Sequence, residues 1–376
     1  MTNATATKLH YDIVGSFLRP DNLKQARAAQ KDGKISLADL HQVEDQAIKD
    51  LVAKEKAHGL KIVTDGEFRR SYWHLDTFWG FNGIKHTHAK QGYLFHDEET
   101  RNDSAQVAGR ISFNPNHPDL AAYKFLYDLT KDDPKITARQ SIPAPAQFYA
   151  ELVRGEENVQ ALKKVYDSTE DLINDIGEAY RSLILALYAA GCRDVKIDDC
   201  TWGMVVDDKF WETMANGDYS REKLEQTYLE ANNAALHDLP DDLRISTHVC
   251  RGNYHSTWAA SGGYDPVADY LFAKENVQAF YLEFDDDRSG DFAPLAKVAT
   301  GKDVVLGLVT SKRPELEDPQ VLIKRVKEAS QYVPLEHLSL STQCGFASTE
   351  EGNKLTEKQQ WDKIELVVAT AEKIWN

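Results

Sequence analysis

The stretch Arg244-Ile245-Ser246-Thr247-His248-Val249-Cys250 decides how this 376-residue chain is read. It is short, β-branched and apolar enough for a buried strand, with amphipathic helical stretches on both sides, Arg221 to His237 and Pro266 to Lys274. Another apolar run, Ala279 to Phe284, comes next, so the segment belongs to a strand, helix, strand repeat.

The same alternation extends outward in both directions. Candidate strands Asp12 to Phe17, Lys61 to Gly66, Lys135 to Ile142 and Asp194 to Asp198 precede it, and Asp303 to Val309 and Leu338 to Cys344 follow. Helical patterns run over Leu37 to His58, Val159 to Ala190, Pro319 to Gln331 and Glu357 to Ile374. Eight such alternations predict an α/β protein built as a single (β/α)8 TIM barrel, one catalytic domain spanning residues 1–376. A doubly wound open sheet would need a glycine-rich phosphate turn after the first strand, and Gly15-Ser16-Phe17-Leu18-Arg19-Pro20 does not supply one. The pattern fails between Gly80 and Pro118, where short alternating pieces such as Gly109-Arg110-Ile111-Ser112-Phe113 predict a β-rich insertion after strand 2, over the barrel mouth.

The formal net charge of −16 argues against phosphate backbones and anionic lipid as partners, because those surfaces are bound by clustered Lys and Arg. Nowhere do ~18 apolar residues stand together, and Met1 to Lys8 lacks the basic and apolar halves of a signal peptide. The expectation is a cytoplasmic protein with no nucleic-acid or membrane partner; a homo-oligomer is compatible with it. Four scattered cysteines, Cys192, Cys200, Cys250 and Cys344, are too few to staple a chain of this size and read as thiols or metal ligands.

His248 and Cys250 stand two apart on their strand, so the period of two sends both side chains to one face. They also close the strand, at the carboxyl rim where barrel active sites lie. Glu283, ending Phe280-Tyr281-Leu282-Glu283, and Cys344, in Thr342-Gln343-Cys344-Gly345, end later strands at the same rim. One His, two Cys and one Glu form a mixed soft and borderline donor set that suits Zn2+ and disfavours magnesium or calcium.

At these residues the sequence resembles the cobalamin-independent methionine synthases, in particular their short single-barrel relatives. The resemblance implies zinc ligation by His248, Cys250, Glu283 and Cys344. Ile13-Val14-Gly15-Ser16-Phe17 is similar to the family's opening Ile-Gly-Ser strand, which implies that Val14, Gly15 and Ser16 hold the carboxylate end of homocysteine. Thr64-Asp65-Gly66-Glu67 and Lys196-Ile197-Asp198-Asp199 resemble its His-Gly-Glu and Ile-Asp-Glu segments, implying that Glu67 and Asp198 grip the substrate ammonium.

The donor side departs from the family pattern. Where long members carry a histidine in Tyr-Asp-Ile-His-Ser, this chain reads Gly307-Leu308-Val309-Thr310-Ser311-Lys312, which makes Lys312 the candidate for charge or proton management. Tyr149 falls near the family's pterin-stacking tryptophan, and Arg110 matches an arginine near the folate. The methyl donor is a folate, a corrinoid-bound methyl or another source. Methyl transfer to the homocysteine thiol is the leading expectation. A related zinc barrel alkyltransferase with another thiol or donor, and a non-catalytic zinc- and amino-acid-binding barrel, are the alternatives. Trp73-His74, Trp79 and His86-Thr87-His88 read as core or incidental surface residues, Cys192 and Cys200 as buried small apolar groups, and His255 as a loop residue.

Overall fold

The computed structural model describes residues 9–209 and 220–375. The N-terminal stretch Met1 to Lys8 lies outside the described residues. Among the described residues the strands are β1 Ile62–Val63, β2 Asn82–His88, β3 Asp103–Ser112, β4 Thr137–Ala138, β5 Gln140–Pro143, β6 Asp194–Asp199, β7 Arg244–Val249, β8 Ala279–Glu283, β9 Asp303–Val309 and β10 Leu338–Thr342. Strands β5 to β10 form a six-stranded parallel sheet in the order β10-β9-β8-β7-β6-β5. These strands are buried on nearly every residue, as expected where helices cover a parallel sheet.

The outer strands are more broken than the sequence predicts. In place of a strand over Asp12 to Phe17 there is a single parallel bridge from Tyr11 to Leu340, with Asp12 N donating to Leu340 O at 3.0 Å. Gly15, at φ +130°, turns the backbone out of an extended ladder. Beyond it, Phe17 N donates to Gly66 O (3.2 Å) and Thr64 Oγ1 to Gly15 O (2.6 Å). Lys61 to Gly66 contributes only β1, which pairs in parallel with β4. The expected strand Lys135 to Ile142 divides at Arg139: β4 pairs with β1, and β5 with β6.

Helices follow their end signals. Ser36 caps Leu37–Ala57 through a reciprocal capping box with Asp39, and the buried stripe Leu40, Ala47, Ile48, Leu51 and Val52 faces the core. The single helix expected over Val159 to Ala190 is two, Glu156–Leu162 and Thr169–Ala189. Ser168 restarts the second by accepting from Asp171 N, and Leu172, Ile176, Tyr180, Leu183 and Leu187 lie along its buried face. Among the described residues, no helix is long and apolar enough to cross a membrane.

Residues 82–112 carry the antiparallel pair β2 and β3. Glu151, on helix Pro145–Leu152, clamps this segment: it accepts from Ser104 Oγ (2.5 Å), Ala105 N (3.1 Å) and Tyr93 Oη. At the amino-terminal side of the sheet, fully buried Arg139 donates to Asp12 (2.8 Å), Asp194 (2.8 Å) and Tyr281 Oη (2.9 Å). That network joins the first segment, β6 and β8.

Candidate metal centre and cleft

β7 delivers His248 and, one residue past its end, Cys250, both buried. His248 Nδ1 lies 3.2 Å from the Tyr281 carbonyl oxygen, which makes Nδ1 the protonated nitrogen and leaves Nε2 without a partner. Glu283 ends β8 with neither carboxylate oxygen hydrogen-bonded, although it is fully buried; the nearest cation is Arg288, 3.6 Å away. Cys344 follows β10 past a shift in its register with β9 between Ser341 and Thr342, where Leu308 is left unpaired in the ladder. Its Sγ lies 3.7 Å from Cys250 Sγ. One ligand atom from each of the four residues lies within 4.8 Å of the others.

The Cys250 thiol is pushed well above its ordinary value, first by the neighbouring Cys200 thiol and then by burial, with Cys344 opposing. Cys344 is raised by Cys250 and by burial. An unpartnered imidazole nitrogen, a buried carboxylate with no hydrogen bond and two touching thiols are costly to bury on their own. As a donor set they fit a divalent ion of zinc's character. Cys200 differs from its sequence reading: it is half-buried and borders the cleft, whereas Cys192 is a buried thiol donating to Asp194 O (3.2 Å).

A cleft of about 730 Å³ opens above this cluster, bordered by His248, Cys250, Cys344, Val14, Ser16, Glu67 and Asp198. His248, Cys250 and Cys344 therefore share one space with Val14, Ser16, Glu67 and Asp198, while Glu283 and Gly15 do not border it. Ser16 is held by the Cys344 turn: its Oγ accepts from Ala347 N at 3.3 Å, and a Cβ at Gly345 would collide with that hydroxyl. Glu67 sits at φ +60° directly after Gly66 at φ +66°, a strained turn held by Glu67 N donating to Asp65 Oδ1 (2.9 Å).

Sequence reading missed three cations that support Glu67 and Asp198. Buried Arg19 donates to Glu67 O (2.6 Å) and Ala347 O (2.7 Å), stapling the Glu67 turn to the segment after Cys344. Lys196, with no exposed surface, lies 3.4 Å from Asp198 Oδ1, and Arg70 lies 3.8 Å from Glu67, so the two carboxylates have cations behind them. Only the position of Lys196, two residues before Asp198 on one strand face, was a visible signal. Burial, with Asp198 adding and Arg70 opposing, raises the Glu67 carboxyl to about 7.

The donor-side candidates do not border the cleft. Arg110 is half-exposed and engaged by Asp175 through two 2.9 Å hydrogen bonds. Tyr149 is buried edge-on to Tyr228. Lys312 is buried in the turn after β9, with Nζ lacking a hydrogen bond.

Fold and cluster together define an α/β protein with a candidate soft-metal centre at the carboxyl ends of a parallel sheet, the region where such sheets bind ligands. The family described as cobalamin-independent synthase, catalytic domain, matches residues 150–372. The chain belongs to that family, as its motifs lead one to expect. It is 43% identical over 367 residues to the uncharacterized protein YxjH of Bacillus subtilis, covering 97% of this chain and 94% of that one. A crystal structure from Listeria monocytogenes, assigned as a candidate vitamin-B12 independent methionine synthase, is 35% identical and covers 98% of both chains with a TM-score of 0.76. The B12-independent methionine synthase of Shewanella sp. W3-18-1, solved with selenomethionine, shares the fold at 18% identity, with 97% of both chains covered and a TM-score of 0.69.

Proposed function

We propose that the protein transfers a methyl group to the thiol of homocysteine, forming methionine, with zinc held by His248, Cys250, Glu283 and Cys344. The observation that carries this reading is the cluster of four buried ligand atoms within 4.8 Å at the floor of a cleft shared with Glu67 and Asp198. When bound, zinc supplies the Lewis acidity that keeps an acceptor sulfur deprotonated near neutral pH. Glu67 and Asp198 take the ammonium, and the Ser16 hydroxyl with the Val14 and Gly15 backbone takes the carboxylate, so the amino acid is gripped at the end away from its sulfur. The sulfur lone pair forms the new S–C bond as the bond from methyl to donor breaks; the donor atom keeps that electron pair and gains a proton. The family, and the selenomethionine bound by the Shewanella relative, support a methionine-sized product.

The hydrogen bonds from Asp12 to Leu340 of β10 and from Phe17 to Gly66, with the β1–β4 pair, support closure of the sheet as a (β/α)8 barrel. In this reading residues 1–376 act as one catalytic unit, the segment of about 80–118 is an insertion over its mouth, and the free thiols suit a reducing, cytoplasmic setting. Lys196 behind Asp198 favours one second reading, a thiol acceptor with a weaker ammonium than homocysteine, because it offsets part of the acidic charge. The test offers homocysteine with a methylated folate, a methylated corrinoid and S-methylmethionine in turn. Methionine from one donor is expected; its absence with all three, together with turnover of another thiol, would favour the second reading.

A further inference from the structure

We propose that the β2–β3 ladder carries a second divalent-metal site, formed by His86, His88 and Asp103, that takes a borderline ion such as zinc. His86 and His88 are two apart on β2, so their imidazoles leave the same face. Asp103 is the direct antiparallel partner of His88, which puts its carboxylate on that face too. His86 Nε2 lies 2.7 Å and His88 Nδ1 3.7 Å from the same oxygen, Asp103 Oδ1, and one ligand atom from each of the three residues lies within 4.8 Å of the others.

The neighbours hold this arrangement. The Trp79 indole lies against the His86 ring, 4.1 Å between centroids, and is itself fixed by Nε1 donating to Ser104 O at 3.2 Å. Arg101 approaches the other oxygen, Asp103 Oδ2, at 3.6 Å, leaving Oδ1 to the histidines. Its charge is already engaged by Glu350 (2.6 Å) and Glu351 (3.8 Å), so an ion at Oδ1 would not face an unpaired guanidinium.

The chemistry differs from that of the buried cluster. Two imidazoles and a carboxylate, without thiolate, suit zinc, nickel or copper. The imidazoles are 49% and 65% exposed, which leaves water in the remaining coordination positions and makes the ion weakly held and exchangeable. His88 and Thr87 border the mouth of the cleft, so a bound ion would tie β2 to β3 there.

The test is metal binding by the full chain, stripped and then titrated with Zn2+ against a chromophoric chelator and with Co2+ followed optically. Two equivalents are expected, one tight with the thiolate-to-cobalt charge-transfer absorption of a cysteine site, one weak without it. His86→Ala/His88→Ala and Asp103→Asn should each remove the weak equivalent and leave the tight one and its absorption. The milder His88→Gln should loosen the weak equivalent at least about 10-fold with an unchanged circular dichroism spectrum. A single equivalent in the wild type that carries the charge-transfer band, or two equivalents retained by the double variant, overturns the proposal. A single weak equivalent abolished by the double variant upholds this site and counts against the buried one.

Discussion

Cys250 Sγ and Cys344 Sγ lie 3.7 Å apart although 94 residues separate them and β8 and β9 stand between their strands. In a flat sheet with strands ~4.8 Å apart, β7 and β10 would be about 14 Å from each other. The two sulfurs can meet only because the sheet curls and the turns past its carboxyl ends lean inward. The candidate metal centre is thus a consequence of curvature as well as of residue choice.

Cys344→Ser, His248→Ala and Cys250→Ser should each weaken zinc binding by more than ~100-fold, since loss of mere outer partners of a metal ligand costs 10–100-fold. Zinc retained per chain after dialysis against a chelator is the measurement. Wild-type retention by any of these variants would remove that residue from the ligand set.

What could be read in advance follows from which physics was local. β8 and β9 are nearly continuous apolar runs, and β6 and β7 short β-branched segments between helices, so all four were legible as buried parallel strands, and His248 with Cys250 was legible from the period of two. The segment around Gly15 was not, because a positive φ breaks the ladder while the run still looks like a strand. Nor was the break at Ser168, where a helix cap interrupts a pattern whose apolar spacing continues. The place of Cys200 at the cleft, the Arg19 staple and the placement of Lys196 behind Asp198 depend on how loops and strand ends converge, which no local pattern encodes.

Glu67→Gln should raise the KM for homocysteine about 10- to 100-fold with a smaller change in kcat, the loss of a charged hydrogen bond of roughly 1.5–3 kcal/mol to the ammonium. Steady-state kinetics at saturating donor separates the two constants. A fall in kcat at unchanged KM would contradict an ammonium-binding role.

The same carboxyl sets a pH dependence. Raised to about 7 in the folded chain from an ordinary 4.5, it holds a proton that the unfolded chain releases, so its contribution to stability is full below 4.5 and is lost as pH rises through about 7. Ammonium binding needs the ionised form, so the KM for homocysteine should fall as pH rises from about 6 to about 8. In Glu67→Gln both trends should flatten; an unchanged KM profile would show that another group controls it.

Arg139→Leu removes the cation that bridges buried Asp12 and Asp194, leaving Arg244 at 3.6 Å from Asp194. Breaking such a pair from one side costs roughly 3–5 kcal/mol. The denaturation midpoint should drop accordingly at an unchanged slope against denaturant concentration. A loss below about 1 kcal/mol would mean that water or local rearrangement relieves the two carboxylates.

Methionine formation from homocysteine by the zinc-stripped protein, before and after zinc is restored and with Cys344→Ser alongside, tests the central claim most directly. Turnover should be absent from the stripped protein, return with one equivalent of tightly bound zinc, and fail to return in the variant. Full turnover by the stripped wild type, or by the variant without tightly bound zinc, would contradict the account.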